Sequence, residues 1–308
     1  MTGSTERFVE VPVRVSTGSS SAPTEASKAK RRIDPRWFSS SLLTLILVIG
    51  QLKFQILGDS YVPWICALGT ALVAEIVLFK LHSGGFPNLL SAYISGNSVA
   101  ILLKPSREVL WPFIVCSLLA IGSKYVLRYK GRHLWNPTNF SVCALLLLAP
   151  GAVSILSHQW GNDWRMIAII WAVGLLTVTR ARVAHLTIGY LVFFVVLAWF
   201  RTLFNHQPLR SELGPVTGPM YQLFMFFMVT DPRTIVKGKG LQMVVLAFVA
   251  LFECALRMAC DFDGIPAGSP MCAAPPMFAL WVVGPIALWL QLRRSPAARV
   301  PAAAPKAA

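Results

Sequence analysis

Three polar stretches interrupt a chain that is otherwise apolar: SAYISGNSVAILLKP (91–105), GSKYVLRYKGRHLWNPTNFS (122–141) and FFMVTDPRTIVKGKG (226–240). In the last of these, Thr230, Asp231 and Pro232 end an apolar run of only about ten residues, which as a helix reaches about 15 Å, half of a bilayer core. A carboxylate at the C-terminal end of a helix meets the partial negative charge of the helix dipole, so the helix alone does not explain it. A carboxylate, a threonine hydroxyl and freed backbone carbonyls at a broken helix end could hold a monovalent cation or the polar edge of a flavin. Asn136, Pro137, Thr138 and Asn139 form a second polar knot, and Ser95, Gly96 and Asn97 a third. Helix-start chemistry accounts equally well for the dipeptides. Asn136 suits an N-cap with Pro137 at the first helical position, where a missing N–H costs nothing, and Asp231-Pro232 can open a turn in the same way.

The remaining ionisable residues are more dispersed. Glu75 falls inside an apolar run, where an ionised group costs roughly 2.5–3.5 kcal/mol, so it calls for a partner such as Lys53 or Lys124, or serves as an ion relay. Glu253 and Arg257 stand four apart, the spacing of a helical ion pair. The five histidines form no ligand pair at helical spacing, so no metal site and no haem site are expected. Cys260 and Cys272 bracket DFDGIPAGSPM, where a disulfide and two free thiols are both open readings. Neither a phosphate-binding Walker motif nor a nucleophile elbow occurs, and no catalytic residue can be assigned.

The elements that must carry these residues are membrane helices. Of 308 residues, 55% are hydrophobic and 13% charged, about half the charge of an ordinary soluble domain, and the mean hydropathy is +0.61. Apolar segments fall near 37–57, 62–80, 88–103, 109–128, 138–157, 165–180, 183–204, 219–230, 240–258 and 275–292. The expected fold is an all-α polytopic membrane protein of about ten transmembrane helices. Basic residues cluster in alternate loops (Arg128, Lys130 and Arg132; Arg180 and Arg182; Arg233, Lys237 and Lys239), whereas Lys104, Arg107, Arg165, Arg201 and Arg210 are spread thinly over the others. By the positive-inside rule both termini are then cytoplasmic, in an inner (plasma) membrane. The net charge of +15 follows from this topology, and no basic-aromatic pattern points to nucleic acid.

Ten segments divide into two five-helix repeats, about 37–157 and 165–292, inverted because five is odd. The third segment of each half is the short or broken one, and paired defects of this kind point to a site near the midplane. The Lys- and Arg-containing tail 1–36 lacks the apolar core of a signal peptide and reads as a disordered cytoplasmic tether, as does the low-complexity tail 293–308.

Ser91-Ala92 through Pro105, Lys124 through Asn136-Pro137, and Phe226 through Thr234, in this order, resemble the NqrB/RnfD family of membrane electron-transfer subunits. The N-P-T-N-F string places the resemblance nearest the UnbU-like branch, associated with enediyne biosynthesis. It covers about 37–292 and implies inverted repeats, redox-linked electron transport or ion translocation, and work alongside other membrane or extracellular subunits, including a UnbV-like extracellular partner. The family esterifies FMN to the Thr of an S-G-A-T motif between the fifth and sixth helices. Here that loop reads SHQWGNDW (157–164) and has no Thr. Covalent FMN is therefore not expected, and a non-covalent flavin, FMN or riboflavin, is the cofactor the resemblance leaves. Its contacts would come from Ser95, Gly96, Asn97, Asn136 to Asn139 and Thr230 to Pro232. A small-molecule or ion transporter on the same scaffold, or a non-catalytic membrane anchor, are the alternatives.

Overall fold

The computed structural model describes residues 35–107, 109–155 and 163–294. The tether before 35, nearly all of the C-terminal tail and most of the 157–164 loop lie outside the described residues. The described chain is mostly helical. Its first half contains α1 (Pro35–Phe54), α2 (Val62–Ser83), α3 (Leu90–Leu102), strand β1 (Leu103–Pro105) and α4 (Trp111–Val126). The hairpin β2 (Arg128–Tyr129) and β3 (Arg132–His133), α5 (Pro137–Leu148) and β4 (Val153–Ile155) complete it. The second half begins with α6 (Trp164–Arg180), α7 (Ala184–Asn205) and the short α8 (Leu209–Leu213). A 3-10 turn at Gly214–Thr217 leads into α9 (Pro219–Leu223), which continues as a π-helical turn over Phe224–Met228. Then come α10 (Lys239–Asp261), α11 (Pro270–Ala273) and α12 (Pro275–Arg294).

Four of these helices, α2, α7, α10 and α12, are long and apolar enough to cross a membrane. They are apolar on nearly every side, as spans are. Val73, Ile188, Phe248 and Leu251 point outward at 53–61% exposure, and a lipid bilayer is the surrounding that such faces suit. Shorter apolar helices fill the spaces between, among them α3 with 13 residues and α5 with 12. Both are too short to span as α-helix. The first runs straight into β1 and the second reaches β4 through a turn at 149–152; the two strands pair antiparallel, Leu103 opposite Ile155, which satisfies backbone groups that lipid could not.

Local chemistry sets the helix ends. Gly84 closes α2 in the left-handed conformation, with its N–H donating to the Lys80 carbonyl. The Asp163 side chain accepts from Arg165 N to start α6. In the β2–β3 turn Lys130 and Gly131 both have positive φ, the geometry of a two-residue hairpin loop.

Packing follows a pattern that occurs in both halves. In the first, α3 lies on α1 and α2, α4 on α2, and α5 on α4; in the second, α9 lies on α6, α10 on α7, and α12 on α10. The halves meet where α1 touches α6 and where α5 touches α12. Small residues permit the closest approaches. A Cβ on Gly96 of α3 would sit 2.8 Å from the Leu68 Cα of α2, and one on Gly174 of α6 would enter the Phe226 ring.

Candidate functional site

The third segment of each half converges on one cavity of about 460 Å³, within the size range of ligand pockets. Its walls come from α3, the end of α4, the β2–β3 hairpin, the start of α5, the end of α6 and the chain from Leu223 to Thr234. Most of the lining is apolar, with Ile94, Ile101, Leu102, Leu223 and Phe226 prominent, and the polar groups gather at one end.

That end is built around a direct bond between the two motifs singled out above. Asn136 caps α5 through its Oδ1, which accepts from Thr138 N and Asn139 N at 3.1 Å each. Its Nδ2 donates to Asp231 Oδ2 at 3.0 Å, across 95 residues of sequence. Asp231 Oδ2 also accepts from Thr234 Oγ1, and Oδ1 from Arg233 N. The Asp231 carbonyl takes the N–H groups of Thr234 and Ile235, so Asp231-Pro232 opens one hydrogen-bonded turn and no longer helix. Arg132 on β3 locks this loop by donating to the carbonyls of Arg233 and Ile235 at 2.9 and 3.0 Å. Enclosure by the protein pushes the Asp231 carboxyl up to about 6, against the hydrogen bonds of Thr234 and Asn136 and the charges of Arg132 and Lys124.

Lys124, buried at the end of α4, also borders the cavity, and its ammonium donates to Glu75 Oε2 at 3.4 Å. Tyr125 Oη donates to the other Glu75 oxygen at 3.1 Å. Of the two partners considered for Glu75, Lys124 is therefore the one it meets. His133 completes the polar end. One of its ring nitrogens bonds the Lys124 carbonyl, while the buried Nδ1 has no protein partner. Burial, then the nearby Arg128 and Lys124, hold its pKa low, so the ring is neutral at pH 7.

The structure divides the sequence-selected residues. Ser95, Asn136, Pro137, Thr138, Thr230, Asp231 and Pro232 line the cavity; Gly96, Asn97 and Asn139 do not. Gly96 serves the α2–α3 contact. Asn97 accepts from Trp64 Nε1 at 2.6 Å and donates to Thr44 Oγ1 at 3.2 Å, tying α3 to α2 and α1. Asn139 donates to the Met277 carbonyl at 3.1 Å and so ties α5 to α12. The Thr230 hydroxyl is taken up by the Phe226 carbonyl of its own helix.

A second ionisable cluster lies in the other half. Glu253, 1% exposed, accepts from Tyr190, from Tyr221 and from Arg257 Nε. Arg257 also donates to Tyr221 Oη. Beside it Arg201 Nε donates to Glu212 Oε2 at 2.6 Å, and both guanidinium groups lie over the ring of Phe194. The i, i+4 spacing announced only the Glu253–Arg257 pair. A tyrosine hydroxyl in an aliphatic run was the remaining signal, and by itself it does not say which partner it finds. Cys260 and Cys272 form a disulfide near the end of the same helix.

Among the described residues no three His, Cys, Asp or Glu side chains are grouped to hold a metal ion. Comparison with models of protein families and with curated proteins finds no match to this chain.

Proposed function

We propose that the chain is an NqrB/RnfD-like, UnbU-like membrane subunit of a redox-linked electron-transport or ion-translocating system, holding a flavin non-covalently in the cavity between its halves. The observation that carries this reading is the Asn136–Asp231 bond. It joins the N-P-T-N and T-D-P stretches, on which the family resemblance rests, into one wall of a ligand-sized cavity. The cavity suits a flat aromatic molecule with one polar edge. Leu223 and Phe226 offer an apolar bed, and Lys124, Asn136 and the unpartnered His133 Nδ1 offer a donor, an amide and an acceptor. A flavin bound there would supply one- and two-electron redox chemistry. The protein's part is to orient the ring, keep water from the apolar end and hold the polar edge. With no Thr in the 157–164 loop, the covalent attachment of the family has no acceptor there, and the chain works with partner subunits that carry the remaining redox groups, a UnbV-like extracellular protein among them.

The same reading places ten segments across the membrane as two inverted repeats with both termini in the cytoplasm. In support, the helix contacts α1–α3, α2–α4 and α4–α5 have counterparts in α6–α9, α7–α10 and α10–α12. The Cys260–Cys272 disulfide suits a loop in an oxidising exterior. The test is isolation of the full chain in mild detergent with native lipid. Flavin absorbance and fluorescence that leave the protein on acid extraction are expected. A colourless protein that takes up neither riboflavin nor FMN would overturn the reading.

One observation favours a second reading. A cavity at the seam of two similarly packed halves is also what an alternating-access transporter needs. Colourless protein that exchanges a small solute across liposomes would establish that alternative.

A further inference from the structure

The charges around the cavity do not balance, and their arrangement says what the ligand carries. Three fixed cations line it, Lys124, Arg180 and Arg233, against one carboxylate, Asp231. The carboxylate is fully engaged by Arg233 N, Asn136 Nδ2 and Thr234 Oγ1. Lys124 has Glu75. Arg180 lies over the Phe38 ring and Arg233 donates one N–H to Ser91 Oγ at 3.2 Å. Among the described residues neither arginine has a carboxylate partner. Arg180 ends α6 and would favour that position for its helix dipole alone, but the dipole does not account for Arg233, which is also exposed and lines the same cavity.

We infer that the cavity takes an amphipathic monophosphate, with an apolar or aromatic body against Phe226 and the phosphate at the rim between Arg180 and Arg233. A guanidinium meets a phosphate through paired N–H donors, and a phosphate at neutral pH carries close to two negative charges. That matches two arginines that have no carboxylate partner among the described residues better than a single carboxylate would. Ser91 Oγ, already bonded to Arg233, stands where a third donor is wanted. The buried His133 Nδ1, an acceptor in the neutral ring at the polar end of the cavity, fits an N–H or O–H on the ligand body. The inference rests on the cavity used above and does not require the body to be a flavin. The phosphate can belong to a cytoplasmic small molecule or to a lipid headgroup.

The experiment uses the full chain in phosphatidylcholine nanodiscs, with FMN and riboflavin as probes that differ only in the phosphate. FMN should bind at least about tenfold more tightly than riboflavin, the worth of one or two charge-assisted bonds. Arg180→Gln together with Arg233→Gln should erase that ratio and leave the riboflavin Kd unchanged. Equal binding of both flavins to the wild type overturns the phosphate while leaving the flavin reading intact. A ratio that survives in the double variant overturns its placement at these arginines. If neither flavin binds, the flavin reading fails, and nanodiscs doped with phosphatidic acid decide the inference by native mass spectrometry. Retention of phosphatidic acid by the wild type and its loss in the double variant uphold it with a lipid as source. Equal retention by both proteins, or none, overturns it.

Discussion

Glu75 and Glu253 are both carboxylates inside an apolar bundle, each bonded to a tyrosine and a cation, yet their surroundings differ. Glu253 receives three donors from three separate helices, and none of its partners borders the cavity. Glu75 holds Lys124 at a longer 3.4 Å, and Lys124, which lines the cavity, has two further N–H groups beyond that bond. A buried ion pair stabilises only when every lone pair and proton is used. The Glu253 cluster comes closer to that condition, with both carboxylate oxygens and two Arg257 N–H groups bonded, and acts as a clasp on α7, α9 and α10. The Lys124 group leaves capacity open toward a space that a ligand can fill, which is the mark of a binding site.

The largest effect is expected where that contrast is sharpest. Glu253→Gln strands Arg257 without its carboxylate and should cost about 3–5 kcal/mol, seen as lost folded yield and a lower unfolding temperature in mild detergent. Replacing both members, Glu253→Met with Arg257→Leu, should recover most of it. Glu75→Gln should cost clearly less, because Lys124 can turn to the cavity it lines. Equal losses at the two glutamates would break the distinction between clasp and site.

A smaller effect tests the seam of the cavity. Asn136→Asp keeps the cap on α5 but sets two carboxylates against each other across the 3.0 Å bond, a loss of about 1–3 kcal/mol. Asp231→Asn sets two amide groups face to face and should cost less, since one can rotate. Combining them reverses donor and acceptor and should restore both stability and ligand affinity. A double variant no better than the sum of its parts would show that the bond does not organise the site.

Much of this pair was legible before its geometry was known, and its meeting was not. Asn136 before Pro137 identifies a helix start from local chemistry alone, and Glu253 with Arg257 identifies an ion pair because a helix has a fixed repeat. That Asn136 faces Asp231, or that Tyr190 and Tyr221 both reach Glu253, depends on how distant helices pack, and no local period encodes it. Asn97 and Asn139 show the reverse error. Polar residues beside a motif suggest ligand contacts, but inside a bundle an amide serves equally well to pin one helix to another, and here both do.

The least effect expected is one of pH. The folded Asp231 carboxyl titrates at about 6 and its ordinary value is 3.8, so between those values the folded chain keeps a proton the unfolded chain has released. Its contribution favours folding below about pH 3.8, declines as pH rises to about 6 and stays at the lower level beyond. His133 works in the opposite sense, because its lowered pKa favours the folded chain above the ordinary histidine value and loses that advantage on acidification. Unfolding temperature measured from pH 4 to 8 should therefore show the Asp231 decline in the wild type. In Asp231→Asn only the histidine rise should remain. A decline that persists in the variant assigns the titration to another group.

The π-helical turn at Phe224–Met228, in which Val229 N bonds the Phe224 carbonyl, holds one residue more than the α-helix it interrupts. In effect a single amino acid has been spliced into the helix, and every residue after it is turned by about 100° from where it would otherwise point. The direction of Asp231 toward Asn136 is thus set by a count rather than by a side chain. Removing Phe224 or Met225, neither of which lines the cavity, would leave its composition untouched and aim the T-D-P stretch elsewhere. Substitution can tune this wall, but only insertion or deletion can create or abolish it.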